Sequence, residues 1–599
     1  RVGSLAMGAV LVWFGTLGWP IPMGDGLDAS WNFVLGYARL HHLQFGRELV
    51  FTYGPWGYLT MPYTLPELFW DRVAWEFLFK AGLAVAVTLC AARLPWWRAV
   101  LLIVFSALML SMFGDASYSF LLALLLWSNA TASAPDRRVG PAASGAVLGF
   151  FALQKFTFFV FTVAGVGGVI CVLFARRQLR PALWLGGSWL AAVIISWLAA
   201  AQSLSGLSTF VWRSLAQSAA YQESMVFEES AAVFWCGVAT LVASALAIGL
   251  TILSSRDWPK SARTLLGLLG AGLCFLVWKQ SFIRADGHVM GLFLFAAVAG
   301  LALRNLSGLL VAAVATFGFW IAEPGLFTYV HHFFRYHVEE DLGKLRSLTA
   351  TRERFLSDTR AAHASRQLPL IRQSVGNKSI DVFGFEQVVA YWNGLNYHPR
   401  PAFQSYQVTS PSLTQLNADF YASPQAPDFV LAKLESIDGR YPPIDDARAL
   451  RALLMHYEFE LEEEGWLLLH RRVTPLPTPS ASSMTVEAAS GELLVLPANR
   501  SLLWAEVEIR PSWLGLLRTF VYKPTLVTLN VEAGASSSYR IVRSGVRGGF
   551  YISPRLTNTS DLLALVTGHP TQATTTLTFE VPQAHRKYFR SRIRVTLHP

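Results

Sequence analysis

The first half of this chain alternates long apolar stretches with short polar loops, and the second half does not. Runs dominated by Leu, Val, Ala and Phe occupy about residues 2–21, 73–92, 99–113, 118–132, 142–154, 156–175, 182–203, 231–253, 263–281, 288–303 and 306–322. A helical crossing of a bilayer core takes roughly 20 apolar residues. The pattern therefore predicts a polytopic α-helical membrane protein of about eleven spans, several of them short or tilted. After residue 323 the texture changes: a polar, helical segment is expected from about 337 to 375, and "SIDVFGF", "DFVLAKL", "ALRALLMHY" and "GWLLLHRR" then alternate strand and helix signals. These predict a small α/β domain over 323–473. "PLPTPSASS" reads as a Pro/Ser linker, 474–484, and the short strands separated by turn residues beyond it predict a β-sandwich over 485–599.

Composition sharpens this picture. Of 599 residues, 53% are hydrophobic and only 15% charged, too apolar for a soluble chain of this length. A net charge of +10 would ordinarily raise nucleic acid as a partner. Many of the basic residues, however, sit in short loops between apolar runs, as topology signals do. One alternating set of loops holds Arg93, Arg98, Arg137, Arg138, Arg176, Arg177, Arg180, Arg256, Lys260, Arg263 and Arg304. The positive-inside rule makes that set cytoplasmic and turns 22–72, 204–230, 281–287 and everything after about 323 outward. Gly114-Asp115 and Gln154-Lys155 must then be tight outward turns. Cys90, Cys171, Cys236 and Cys274 all lie in apolar runs and read as small buried hydrophobes, with no disulfide framework or zinc site spelled out. Because the chain opens on Arg1, a short cytoplasmic leader is expected before it, and Val2 to Trp19 reads as a span and not a cleavable signal.

The outward loops hold the candidate chemistry. "MGDGLDASW", residues 23–31, follows the first run, and the loop continues through "GRELVFTYGPWGYLTMPYTLPELFWDR". A short helix is expected at 28–43 with Asp28 or Gly26 near its N-cap, and a membrane-parallel segment at 66–79. In 204–230, Phe210, Trp212, Leu215 and Tyr221 would lie on the bilayer surface. On this topology Asp25, Asp28, Lys155, Glu223, Lys279, Arg284, Asp286 and His288 collect at one membrane edge, where ionisable groups are costly and mark function by default. A carboxylate can take the proton of an attacking hydroxyl while cations stabilise a departing phosphate.

Each residue also has a plainer reading. Asp25 would serve as a helix cap, and Asp28 as a cap or an orienting partner in preference to a second base. Lys155 and Lys279 would snorkel from span ends. Arg284 and Asp286 would form a local ion pair, His288 would start a helix, and Glu223 would belong to a solvated face. Tyr53 and Trp56 in "TYGPWGYL" fit either an aromatic interface plug or a close approach to ligand. In the C-terminal region Arg500, Trp504, Trp513, Arg543, Arg547, Tyr551 and Arg555 suit sugar binding or core packing.

The acidic motif after the first span, the long outward first loop, the many-span core and the soluble outward C-terminal region resemble the GT-C superfamily of membrane glycosyltransferases. The resemblance covers roughly the first 320 residues in architecture and the first loop in motif. The β-rich tail resembles, more weakly, the carbohydrate-binding-like domains of some arabinofuranosyltransferases. The resemblance implies an inverting glycosyltransferase that uses a polyprenyl-phosphate sugar as co-substrate, with Asp25 as general base. The spacing Asp-Gly-Leu-Asp departs from the adjacent acidic pair frequent in that superfamily and leaves the role of Asp28 open. Lys155, Lys279 and Arg284 would contact the donor phosphate by their chemistry, with Tyr53, Trp56, Glu223, Asp286 and His288 near substrate. No cofactor and no obligatory metal is expected. A bacterial inner membrane, a glycan or glycolipid acceptor and extracytoplasmic C-terminal domains complete the expectation. The alternatives are a non-enzymatic polytopic scaffold or sensor whose outward domains bind glycan or a partner protein and, last, a transporter.

Overall fold

A computed structural model describes the chain apart from residues 1, 135, 326–329, 332, 478–482, 498–501, 570 and 599 and the side chains of 334, 336 and 338. Two compact units make it up: Arg1–Pro22, Tyr53–Leu204 and Phe227–Asp358 form the first, and Met23–Thr52, Ser205–Val226 and Thr359–Pro599 the second. This division differs from the boundaries expected from the sequence. Two outward loop segments placed in a 1–322 membrane module belong to the second unit, and the first unit runs on to Asp358.

In the first unit every predicted apolar run becomes a helix. Five of these have the length and apolarity of a membrane crossing: Pro66–Ala91, Phe156–Ala175, Leu179–Ala199, Ala231–Ser254 and Lys260–Ile283. Val2–Thr16, Trp96–Met109, Val139–Ala152, Gly287–Ala302 and Leu306–Ala322 are apolar but shorter, and Gly114–Thr131 is diluted by Asp115, Tyr118, Ser128 and Asn129. The expected eleven spans thus become five candidate membrane-spanning helices among the described residues. The membrane-parallel segment expected at 66–79 is instead the start of the continuous Pro66–Ala91 helix. Within it Glu76 pairs with Arg72 and, at 3.6 Å, with Lys80. The same carboxylate accepts the Gly18 N–H at 2.8 Å, so the buried charges are compensated.

Two of the basic residues between the apolar runs close helix ends. Arg98 donates to the carbonyls of Gly300 (2.8 Å), Leu301 (3.0 Å) and Asn305 (3.0 Å). Arg176 donates to those of Ala130 and Ala132, both at 2.9 Å. The last carbonyls of a helix lack intrahelical donors and carry partial negative charge, so arginines close these ends.

The second unit is built on a five-stranded mixed sheet in the order β2-β1-β3-β5-β4, with β1 Ser379–Phe383, β2 Asn396–Tyr397, β3 Phe429–Ala432, β4 Tyr457–Glu463 and β5 Trp466–Arg471. β1 runs parallel to β2 and β3, and β5 antiparallel to β3 and β4. The C-terminal region forms two four-stranded sheets, β10-β9-β12-β7 and β11-β8-β13-β6. Their strands are β6 Met484–Ala489, β7 Leu493–Val495, β8 Leu503–Glu508, β9 Val527–Ala533, β10 Ala535–Ile541, β11 Phe550–Ser553, β12 Thr576–Glu580 and β13 Arg592–His598. Val430 and Leu467 of the mixed sheet belong to the same buried cluster as Leu529, Leu577, Val507 and Val595 of the other two. One hydrophobic core therefore runs through both regions, and the expected linker, whose residues 478–482 lie outside the described residues, joins parts that fold together.

The loop "NYHPRPAFQSYQ" supplies the keystone of this unit. Arg400 is fully buried and binds Asp446 at 3.0 Å, Asp381 at 3.2 Å, the Val382 carbonyl at 2.6 Å and the Ser405 hydroxyl at 2.7 Å. Leu27–Leu40 is an interior helix here: Trp31, Asn32, Phe33, Val34 and Leu35 are all buried. Tyr37 donates to the Tyr397 carbonyl at 2.6 Å, and the rings of Tyr391 and Tyr397 flank Phe33. In Leu204–Ser224, Phe210 is buried against Phe45 while Trp212 and Leu215 stay exposed, so only part of the expected surface set faces outward.

Candidate functional site

Three helix boundaries of the first unit converge on a polar cluster. Asp115 stands in the first turn of Gly114–Thr131, Lys155 is the extended residue before Phe156–Ala175, and Gln280 lies in the last turn of Lys260–Ile283. Lys155 Nζ lies 2.5 Å from Asp115 Oδ2, and Gln280 Nε2 donates to the same oxygen at 2.7 Å. The ammonium also sits 5.3 Å from the centre of the Tyr53 ring, and Tyr53 and Lys155 pair through their backbones. Their approach depends on Gly54, whose N–H reaches the Gln154 carbonyl at 3.0 Å and where a Cβ would lie 2.4 Å from the Leu153 carbonyl oxygen. Trp56 donates its indole N–H to the Ser196 carbonyl at 2.9 Å.

Beyond Ile283 the chain folds on Asp286. Its carboxylate takes Arg284 Nε at 2.8 Å, His288 Nδ1 at 2.5 Å and the His288 backbone N–H at 3.2 Å. Burial pushes this carboxyl up, but the hydrogen bond and charge of His288 and the charge of Arg284 outweigh it and hold the group below its ordinary value. His288 contacts the Phe113 ring. The first unit therefore contains seven of the residues expected from the sequence: Tyr53, Trp56, Lys155, Lys279, Arg284, Asp286 and His288. Lys155 and Arg284, expected to meet a donor phosphate, are each engaged by a carboxylate of the chain itself. Asp115, read from the sequence only as part of an outward turn, and Gln280 were not among the expected site residues, although a carboxylate opening an apolar helix was a signal.

The motif acids belong to the second unit. Gly26, at φ 89°, precedes Leu27–Leu40, with no side-chain cap, so Asp25 is released from capping. Asp28 accepts the Trp31 indole N–H at 2.9 Å and orients that buried ring. Asp25 is held by Arg366, which stands 341 positions away and donates Nε to Oδ1 and Nη2 to Oδ2, each at 2.5 Å. The hydrogen bonds from Arg366, assisted by its charge and opposed by slight burial, keep the Asp25 carboxyl below its ordinary value. Glu223 forms an ion pair with Arg543 and accepts the Ser544 N–H at 2.9 Å, a structural tie inside this unit.

Asp25 and Arg366 line a cavity of about 410 Å³ together with Glu386, Glu464, Trp392 and Trp466. The Arg366 guanidinium lies 4.5 Å from the Trp392 ring centre. Lys433 binds Glu386 at 2.9 Å and stands 5.3 Å from the Trp466 ring centre. Trp392 is 7% exposed, and its indole N–H has no hydrogen-bond acceptor among the described residues. Of the C-terminal residues weighed for sugar binding, Trp504 and Tyr551 are buried in the core and Arg543 is taken by Glu223, while Trp513 is 72% exposed; Arg500 lies outside the described residues. Comparison with known proteins gives no matching family model, no matching curated protein and no matching solved structure.

Proposed function

We propose that this chain is an inverting glycosyltransferase of a bacterial inner membrane that moves a sugar from a polyprenyl-phosphate donor to a glycan or glycolipid acceptor, with the C-terminal regions outside the cytoplasm. The observation that carries the reading is the Asp25 cavity. It combines carboxylates that accept sugar hydroxyls, indoles that pack on the C–H faces of a pyranose or furanose, and one guanidinium. In the reaction the acceptor hydroxyl gives its proton to Asp25 and its oxygen bonds to the anomeric carbon. The bond from that carbon to the lipid phosphate breaks, and the polyprenyl phosphate departs with the electron pair. Asp25 accepts a proton only once Arg366 has let go, so Arg366 sets when the base is competent.

The pairing of Asp25 with Arg366 also favours a second reading, a non-enzymatic scaffold whose outward cavity holds glycan and whose acid is a latch. Transfer of radiolabelled sugar from a panel of polyprenyl-phosphate donors, comparing the full chain with Asp25→Asn at matched expression, separates the two. Transfer that the Asn variant loses supports the enzyme. Absence of both transfer and donor binding with the unaltered chain leaves the scaffold.

A further inference from the structure

The β-rich region carries an apolar element that its core does not use. Trp513–Val521 is a nine-residue helix in which only Gly515 is buried. Trp513 is 72% exposed, Leu516 60%, Leu517 51%, Phe520 67% and Val521 49%. A single large apolar side chain in water is ordinary, but five on one short helix mark an interaction surface.

The helix is held firmly from behind. Ser512 accepts the Gly515 N–H at 3.2 Å and donates its hydroxyl to the Lys587 carbonyl at 2.8 Å. Gly515 lies so close to Gln583–Tyr588 that a Cβ there would stand 2.1 Å from the Tyr588 carbonyl oxygen. Arg518 lies 4.9 Å from the Tyr522 ring centre and 5.1 Å from that of Tyr588. The apolar side chains are thus presented to the outside on a fixed base of tyrosine and arginine.

The segment that backs the helix is cationic: residues 583–590 contain Arg586, Lys587 and Arg590 and no Asp or Glu, Arg510 and Arg518 lie just before and within the helix, and Lys523 after it is buried. Arg510 is spent on Glu508 at 2.8 Å, and Arg586, Lys587 and Arg590 are exposed. A Trp, Phe and Leu face bordered by tyrosines and cations suits a lipid surface, where apolar side chains enter the acyl boundary and cations stay at headgroup depth. A protein partner matched only to the apolar face would leave the cations unanswered.

We propose that Trp513–Val521 is an interfacial anchor that inserts Trp513, Leu516, Leu517 and Phe520 into the surface of a bilayer with anionic headgroups, with Arg586, Lys587 and Arg590 beside the phosphates. The anchor is independent of the transferase reading. Its test uses the full chain with Cys90, Cys171, Cys236 and Cys274 replaced by Ala, an NBD label at Leu516→Cys or at the exposed control Ser536→Cys, and reconstitution into phosphatidylcholine vesicles with and without phosphatidylglycerol. The label at 516 shifts to the blue and resists external dithionite when phosphatidylglycerol is present, while the label at 536 is reduced. Lys587→Glu with Arg590→Glu restores reduction at 516. Equal reduction at both positions in both vesicles overturns the anchor. So does shielding at 516 that ignores lipid charge and is lost on dilution to one chain per vesicle, which assigns the face to a second copy.

Discussion

Two acid–cation pairs of this protein, Asp25–Arg366 and Asp115–Lys155, have the same chemistry and opposite settings. Asp25 keeps 67% of its side chain exposed and is gripped through both oxygens by a guanidinium. Asp115 and Lys155 are 22% and 17% exposed, meet through one oxygen, and share it with Gln280. Water can replace either partner of the first pair, so the pair contributes little to stability and can open to a ligand. Neither partner of the second can lose the other cheaply, because a charge left in a part-buried site has lost its hydration without compensation. Exposure, more than the presence of a carboxylate beside a cation, therefore separates the acid proposed for proton transfer from the acid that ties helix ends together.

The largest effect that would break this comparison is on activity. Asp25→Asn preserves shape and removes the proposed base, and transfer from a polyprenyl-phosphate donor should fall by about a hundred- to ten-thousand-fold with the apparent melting temperature unchanged. If Asp115→Asn abolished transfer as completely in a protein that stayed folded, the roles assigned to the two pairs would be reversed.

Next in size is stability. Asp115→Ala strands Lys155, and its expected cost is about 2–3 kcal/mol, below the roughly 3–5 kcal/mol of a fully buried pair because both side chains keep some water. Thermal unfolding of the full chain in detergent measures it. The double variant Asp115→Leu, Lys155→Met should regain most of the loss. Failure to regain it would mean that Gln280 and Tyr53, not the charge, hold the junction. Arg400→Met gives the fully buried reference within the second unit, since it leaves Asp381 and Asp446 with no guanidinium.

How much of this was legible in the sequence follows from the range of the interactions. Periodicity and apolar runs reflect local preference, so helices stand at all the expected places, and the β-rich tail forms sheets. Span number was less legible, because several apolar runs form helices shorter than a full crossing, as 142–154 does in the 14-residue helix Val139–Ala152. The local pair Arg284–Asp286 was readable from two residues' separation. The partner of Asp25 was not: nothing near "MGDGLDASW" announces Arg366, and only the fold of the second unit brings them together. A helix near 28–43 was readable, but its place in the interior of the second unit was not, because its burial depends on residues far along the chain. The rings of Tyr391 and Tyr397 decided the matter.

The smallest effect is the most specific. Arg366→Gln removes the donors that hold the Asp25 carboxyl low, so its pKa rises toward the ordinary value. Activity that needs ionised Asp25 should then lose its acid limb at a higher pH than the unaltered chain, with the alkaline side unchanged. Stability moves the other way and only slightly. A depressed carboxylate pKa stabilises the fold above the unfolded value, and that gain is lost as pH falls through the folded one. The unaltered chain should therefore exceed Arg366→Gln by well under about 1 kcal/mol near neutrality, given the exposure of Asp25. The difference should vanish in acid, where the carboxyl is protonated in both. A difference that persists there would show that Arg366 stabilises through its packing on Trp392 and not through Asp25.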